Sequence, residues 1–256
     1  MIRKKIGVLI ALVLLLCVSA EAQRRVRPPA GKAAVKKPRE VGNSAVVMDE
    51  TLSVLRSKPS LFAEPVQRMR RGRKVQILGV AEADGVKFYR VSAPPGNMGW
   101  VQADALFGRF REDDDARLAR LIQASNGFDQ IELASAFLDL YPQSQFRPAI
   151  LLLFGDLIED AATKLSKDAS SRLDRREMAA SAAPMHSYYL NFNMLDRYRR
   201  LGIIFLFNPN TRTYHYEGTS WREVIAKYPA AGEAAESQKR LETLKQKMDR
   251  GNAALP

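Results

Sequence analysis

The chain has 256 residues, 46% of them apolar, and carries 40 lysines and arginines against 28 acids, a net charge of +12. Its single cysteine excludes an internal disulfide, so burial alone has to hold the core, which this length and apolar content can supply. The basic balance points to acidic partners.

Met1-Ile2-Arg3-Lys4-Lys5 is a positively charged start, Ile6 to Val18 is a run of 13 apolar residues, and Ala20-Glu21-Ala22 supplies small residues around a cleavage point. This reads as a secretory signal peptide over residues 1–22, because the apolar run falls short of the ~20 residues a bilayer span needs. An uncleaved anchor is the alternative. Cleavage would remove Cys17 and lower the net charge from +12 to +10. An exported protein, periplasmic or associated with the cell envelope, is therefore expected.

Residues 23–43 read as a disordered linker. Arg24, Arg25, Arg27, Lys32, Lys36, Lys37 and Arg39 face a single acid, Glu40, and Pro28, Pro29 and Pro38 block regular structure. Such a tether is drawn to anionic lipid headgroups or acidic wall polymers, at about 1 kcal/mol per cation near a charged membrane. Nucleic acid would suit the charge as well, but an exported chain does not meet it, and no nucleic-acid partner is expected.

From residue 44 to 108 short apolar runs alternate with turn signals. Leu55-Arg56-Ser57-Lys58-Pro59-Ser60 comes first, then the basic turn Arg70-Arg71-Gly72-Arg73-Lys74 running into Val75-Gln76-Ile77-Leu78-Gly79. Phe88-Tyr89-Arg90-Val91, the turn Pro94-Pro95-Gly96-Asn97 and Met98-Gly99-Trp100-Val101 complete the set. The spacing predicts a small β-barrel, with Gly99 allowing a close strand crossing.

In order and composition these landmarks resemble the bacterial SH3-like (SH3b) domain. Val86-Lys87-Phe88 stands where that family often has Gly-Trp, a departure that bears on ligand contact. The resemblance implies a barrel that recognises a wall peptide, a glycan or a protein through a shallow aromatic groove. The candidate ligand-binding residues are then Phe88 and Trp100 with Arg56 and Arg90 as charge partners; for each aromatic the alternative is the barrel core. Strand alternation puts Phe88 and Arg90 on one side and Tyr89 and Val91 on the other, so Phe88 and Tyr89 cannot both line the groove.

Asp113-Asp114-Asp115 suits a helix N-terminus, where negative charge opposes the dipole. From 113 to 250 the period is helical. Leu133, Phe137, Leu140 and Tyr141 share a face that Pro142 ends. Pro148 to Lys164 is apolar enough to need neighbours on more than one side, and Glu177 to Arg200 reads as a third long helix divided or kinked at Pro184. Residues 203–217, with the turn Asn208-Pro209-Asn210, read as a β-hairpin or an ordered loop. Ser220 and Glu223 have capping-box spacing, Trp221, Val224, Ile225 and Tyr228 form one face, and Glu233 to Arg250 is a last charged helix.

The segments around Tyr141-Pro142 and Tyr228-Pro229 each run an apolar-faced helix into Tyr-Pro, a short turn and another helix. This resembles the helix junctions of tetratricopeptide-type repeats, and implies a surface for protein–protein interaction; an irregular helical bundle is the alternative. The expected fold is thus α+β and multidomain: a small SH3-like β-barrel followed by an α-helical, tetratricopeptide-like domain.

His186 and His215 are the only histidines, and His215, between Tyr214 and Tyr216, reads as a surface hairpin residue. Asp139, Asp156, Glu159 and Asp160 fall on helices where solvation or capping is the default. There is no Gly-x-Ser-x-Gly nucleophile turn and no glycine-rich phosphate loop after a strand. No catalytic residue, cofactor or metal is expected. Together with the resemblances, these residues imply an exported, non-enzymatic binding or scaffold protein of the bacterial cell envelope, with peptidoglycan or envelope proteins as partners and anionic membrane as a further one through the linker. The alternative is a cell-wall-modifying hydrolase targeted by the SH3-like module.

Overall fold

The structure, a computed structural model, describes residues 38–173 and 185–249. The expected signal peptide, most of the linker and the Pro184 kink lie outside the described residues. The chain is α+β, a seven-stranded antiparallel sheet followed by helices and a small hairpin.

The strands are β1 (Ser44–Val47), β2 (Val54–Arg56), β3 (Pro65–Arg68), β4 (Lys74–Ala83), β5 (Val86–Ala93), β6 (Asn97–Gln102) and β7 (Leu106–Phe107), in the order β3-β2-β6-β5-β4-β1-β7. Alternation builds β4: Val75 and Ile77 are buried while Lys74, Gln76 and Leu78 face out. The turn from β4 to β5 is Asp84-Gly85, both at positive φ (54° and 72°), the backbone that a tight two-residue hairpin turn requires. A register shift between Ile77 and Gly79 bends β4. Gly99 answers the expected close crossing, since a Cβ there would sit 2.7 Å from Arg56 O on β2.

The strand layer begins before β1. Gly42 N donates to Ile77 O and Ile77 N to Asn43 O, and Glu40, the linker's single acid, accepts from Lys87 at 2.6 Å. The Lys87 hydrogen bond holds the Glu40 carboxyl below its usual range.

The helices are α1 (Asp114–Ala124), α2 (Gly127–Leu140), α3 (Arg147–Leu173), α4 (Met185–Leu190), α5 (Asp196–Arg199), α6 (Thr219–Lys227) and α7 (Gly232–Asp249), with the hairpin β8 (Phe205–Asn208) and β9 (Thr213–Tyr216) between α5 and α6. The apolar helix α3 has its neighbours on several sides, packing against α2, β9, α6 and α7. Its Gly155 admits the buried Trp221 of α6: a Cβ there would lie 2.3 Å from Trp221 Nε1.

Two helical expectations are corrected. Over residues 185–200 the chain forms α4, a 3-10 turn at Asn193–Leu195 and α5 rather than one long helix, because buried Phe192 and Leu195 turn the backbone into the core. No capping box forms at Ser220. Helix α6 starts two residues earlier, at Thr219 behind Gly218, Ser220 is buried with its N–H donating to Tyr216 Oη at 2.8 Å, and Glu223 pairs with Arg147 instead.

The two Tyr-Pro segments do make the same turn. Tyr141 N donates to Phe137 O and Ser144 N to Tyr141 O, while Tyr228 N donates to Val224 O and Ala231 N to Tyr228 O. The paired helices α2–α3 and α6–α7 meet through α3 and α6.

The described residues from 39 onward form one compact unit. Met48 and Phe107, from the strand layer, belong to the core of the helical part. Asp114 binds the two layers as well as beginning α1: fully buried, it accepts from Gly108 N at 3.0 Å and from Arg117 at 2.6 Å, while Tyr141 Oη donates to Gly108 O.

Candidate functional site

Register brings three of the four candidate residues into one row. Trp100 on β6 stands opposite Arg56 of β2 on one side and Arg90 of β5 on the other, and Arg90 stands opposite Gly79 of β4. Directly opposed residues of antiparallel strands share a face with Cβ atoms about 5 Å apart. Trp100 therefore stands in register between two arginines on one face of the sheet. Trp100 is half-buried and Arg90 is exposed, and Arg90 has no carboxylate in ion-pair reach among the described residues. The glycine opposite Arg90 leaves its far side open.

The β2–β3 loop folds back over this face. Arg56 Nη1 donates to Ala63 O at 2.7 Å, and Ser60 Oγ and Leu61 N donate to Asp84 at the β4–β5 turn. Those two hydrogen bonds lower the Asp84 pKa. Phe88, two residues closer to that turn than Arg90, is 0% exposed. It is a core residue, and the expectation that it lines a groove is corrected. Tyr89 is equally buried on the opposite face, against Phe110.

In place of Phe88 the loop presents Phe62, 89% exposed, and β6 adds Met98, 57% exposed and two residues from Trp100 on its face. Neither figured among the candidates. The signal available for Phe62 was a lone aromatic between Pro59 and Pro65, in a loop too short to bury it. A surface of this composition can stack a planar or apolar group on the indole while the arginines hold a carboxylate or phosphate.

A second constellation joins the hairpin to the helices. His215 is 8% exposed, so it is a buried residue and not the surface residue expected. Its Nδ1 lies 3.0 Å from Glu159 Oε1 on α3, and its Nε2 lies 2.9 Å from Thr213 Oγ1. Glu159 also accepts from Lys247 of α7 at 2.7 Å and from Tyr216 N at 2.8 Å. Burial on its own would raise the Glu159 pKa, but the hydrogen bonds from His215, Lys247 and Tyr216 outweigh it and hold the carboxyl at about 2, against an ordinary 4.5. Sequence reading had placed Glu159 as a solvated helix carboxylate, since its partners lie 56 and 88 residues away.

Among the described residues no group of three or more His, Cys, Asp or Glu side chains could hold a metal ion, and no helix is long and apolar enough to cross a membrane. No family model matches the chain, and no curated protein or solved structure matches it either.

Proposed function

We propose that the chain is a binding protein of the bacterial cell envelope, whose strand layer is an SH3-like module that takes an acidic ligand on the Arg56–Trp100–Arg90 face. The observation that carries this reading is the cross-strand row itself, a tryptophan in register with two arginines, neither of which has a carboxylate in ion-pair reach among the described residues. Peptidoglycan, with its carboxylate-bearing peptides, or an acidic segment of an envelope protein has the matching chemistry. The paired helices with their repeated Tyr-Pro turn support a tetratricopeptide-like partner surface in the second half of the chain. The charged start and apolar run of residues 1–18 support export, and the linker cations support electrostatic attachment to an anionic surface.

Co-sedimentation with purified peptidoglycan sacculi at low and high salt tests the reading. Trp100→Ala and Arg90→Ala are each expected to weaken pelleting by about tenfold, as a lost stacking or charged contact of 1–2 kcal/mol would. Deleting residues 23–37 should change only the salt-sensitive part, because screened charges act over about 8 Å at physiological ionic strength. Pelleting that is unaffected by both single substitutions would remove the strand face from the proposal.

The Thr213–His215–Glu159 line favours a second reading, a hydrolase that uses the Thr213 hydroxyl as nucleophile with His215 as base. Labelling by a fluorophosphonate probe that Thr213→Ala abolishes would establish it. We favour the binding role because Glu159 is also tied to Lys247 and Tyr216 N, as expected of a structural latch.

A further inference from the structure

A cleft of about 290 Å³ opens between α2, α3 and the segment 194–198, away from the strand face. Phe128, Leu157, Met194 and Tyr198 give it apolar walls. Arg197 is its uncompensated charge. The guanidinium stands 4.6 Å from the centre of the Phe128 ring and 4.9 Å from that of Tyr198, and Nη2 bonds the Tyr198 hydroxyl. Nε is buried with no hydrogen-bond partner among the described residues, and no carboxylate there pairs with the group. The other charges at the cleft cancel. Asp168 is paired with Arg172 at 3.1 Å, and Asp160 and Lys164, one turn apart on the exposed side of α3, offset one another.

We infer that this cleft is a binding site for a carboxylate carried on a compact apolar group, with the apolar body against Phe128, Leu157 and Met194 and the carboxylate on Arg197. A guanidinium laid on two rings has lost part of its water, so an anion that reaches its free edge gains more than it would from a solvated lysine. The volume suits one small molecule or one terminal residue, since ligand pockets start at roughly 300 Å³.

Isothermal titration calorimetry on the whole chain tests this with three probes: 3-phenylpropionate, its carboxamide, and the peptide acetyl-Ala-Ala-Phe with a free carboxylate. The acid is expected to bind about tenfold tighter than the carboxamide, with that preference lost in Arg197→Gln and kept in Arg197→Lys. Met194→Trp, which fills the cleft and leaves Arg197 in place, should weaken acid and carboxamide alike. Tighter binding of the peptide than of 3-phenylpropionate would assign a chain terminus as the ligand, and the reverse a free acid; both support the site. Equal affinity for acid and carboxamide, a preference that survives Arg197→Gln, or no binding of any probe would overturn it.

Discussion

Glu159 receives three hydrogen bonds from two distant parts of the chain, the hairpin and the last helix, and its pKa of about 2 turns that geometry into a pH dependence. Because the folded value lies below the ordinary 4.5, the group stabilises the fold above that pH, and the contribution disappears as pH falls from 4.5 toward 2. The shift corresponds to a contribution on the order of 3 kcal/mol. Glu159→Gln should therefore lower the urea midpoint at pH 7 and flatten its decline between pH 4.5 and 2 relative to the parent chain. An unchanged acid limb in the variant would show that another carboxylate carries it. The side chain could be read from the sequence only as a helix carboxylate, because none of its three donors is near it in the chain.

At the scale of elements, the two Tyr-Pro turns share one backbone and differ in what the tyrosine does. Tyr141 is 9% exposed and its hydroxyl donates to Gly108 O, joining α2 to the end of the strand layer; burial raises its pKa. Tyr228 is half-buried at the equivalent place between α6 and α7. Tyr141→Phe should cost about 1 kcal/mol, the net value of one buried hydrogen bond, while Tyr228→Phe should stay within about 0.5 kcal/mol, as measured by chemical denaturation. Equal costs would mean that the turn and not the hydroxyl matters. Periodicity and proline made these helices readable in the sequence. The break between α4 and α5 was hidden, because the apolar spacing around Phe192 fits a continuous helix until the core claims that ring.

Across the whole molecule the basic turn of the strand layer serves as a bolt. Arg71, with its side chain 16% exposed, meets Glu132 at 3.0 Å and Asp129 at 3.3 Å on α2 and donates to Met48 O on its own layer. Arg71→Ala leaves a partly buried carboxylate without its cation and should cost about 1–3 kcal/mol. Because Met48 and Phe107 sit in the helical core, calorimetry on residues 39–256 should show a single transition that the substitution lowers without splitting. Two resolved transitions in the parent would mean that the layers unfold separately.

The sequence alone determined what depends on neighbours in the chain: the strands of 44–108, the hairpin near 203–217, the helix ends at Tyr-Pro, the glycine at a strand crossing, and the α+β class. The tertiary structure decided which faces are covered. It set Arg56, Trp100 and Arg90 side by side through register, placed Phe88 inside, and drew Glu159, His215 and Lys247 together. Alternation assigns a side chain to a face, but whether water reaches that face depends on segments arriving from elsewhere in the chain.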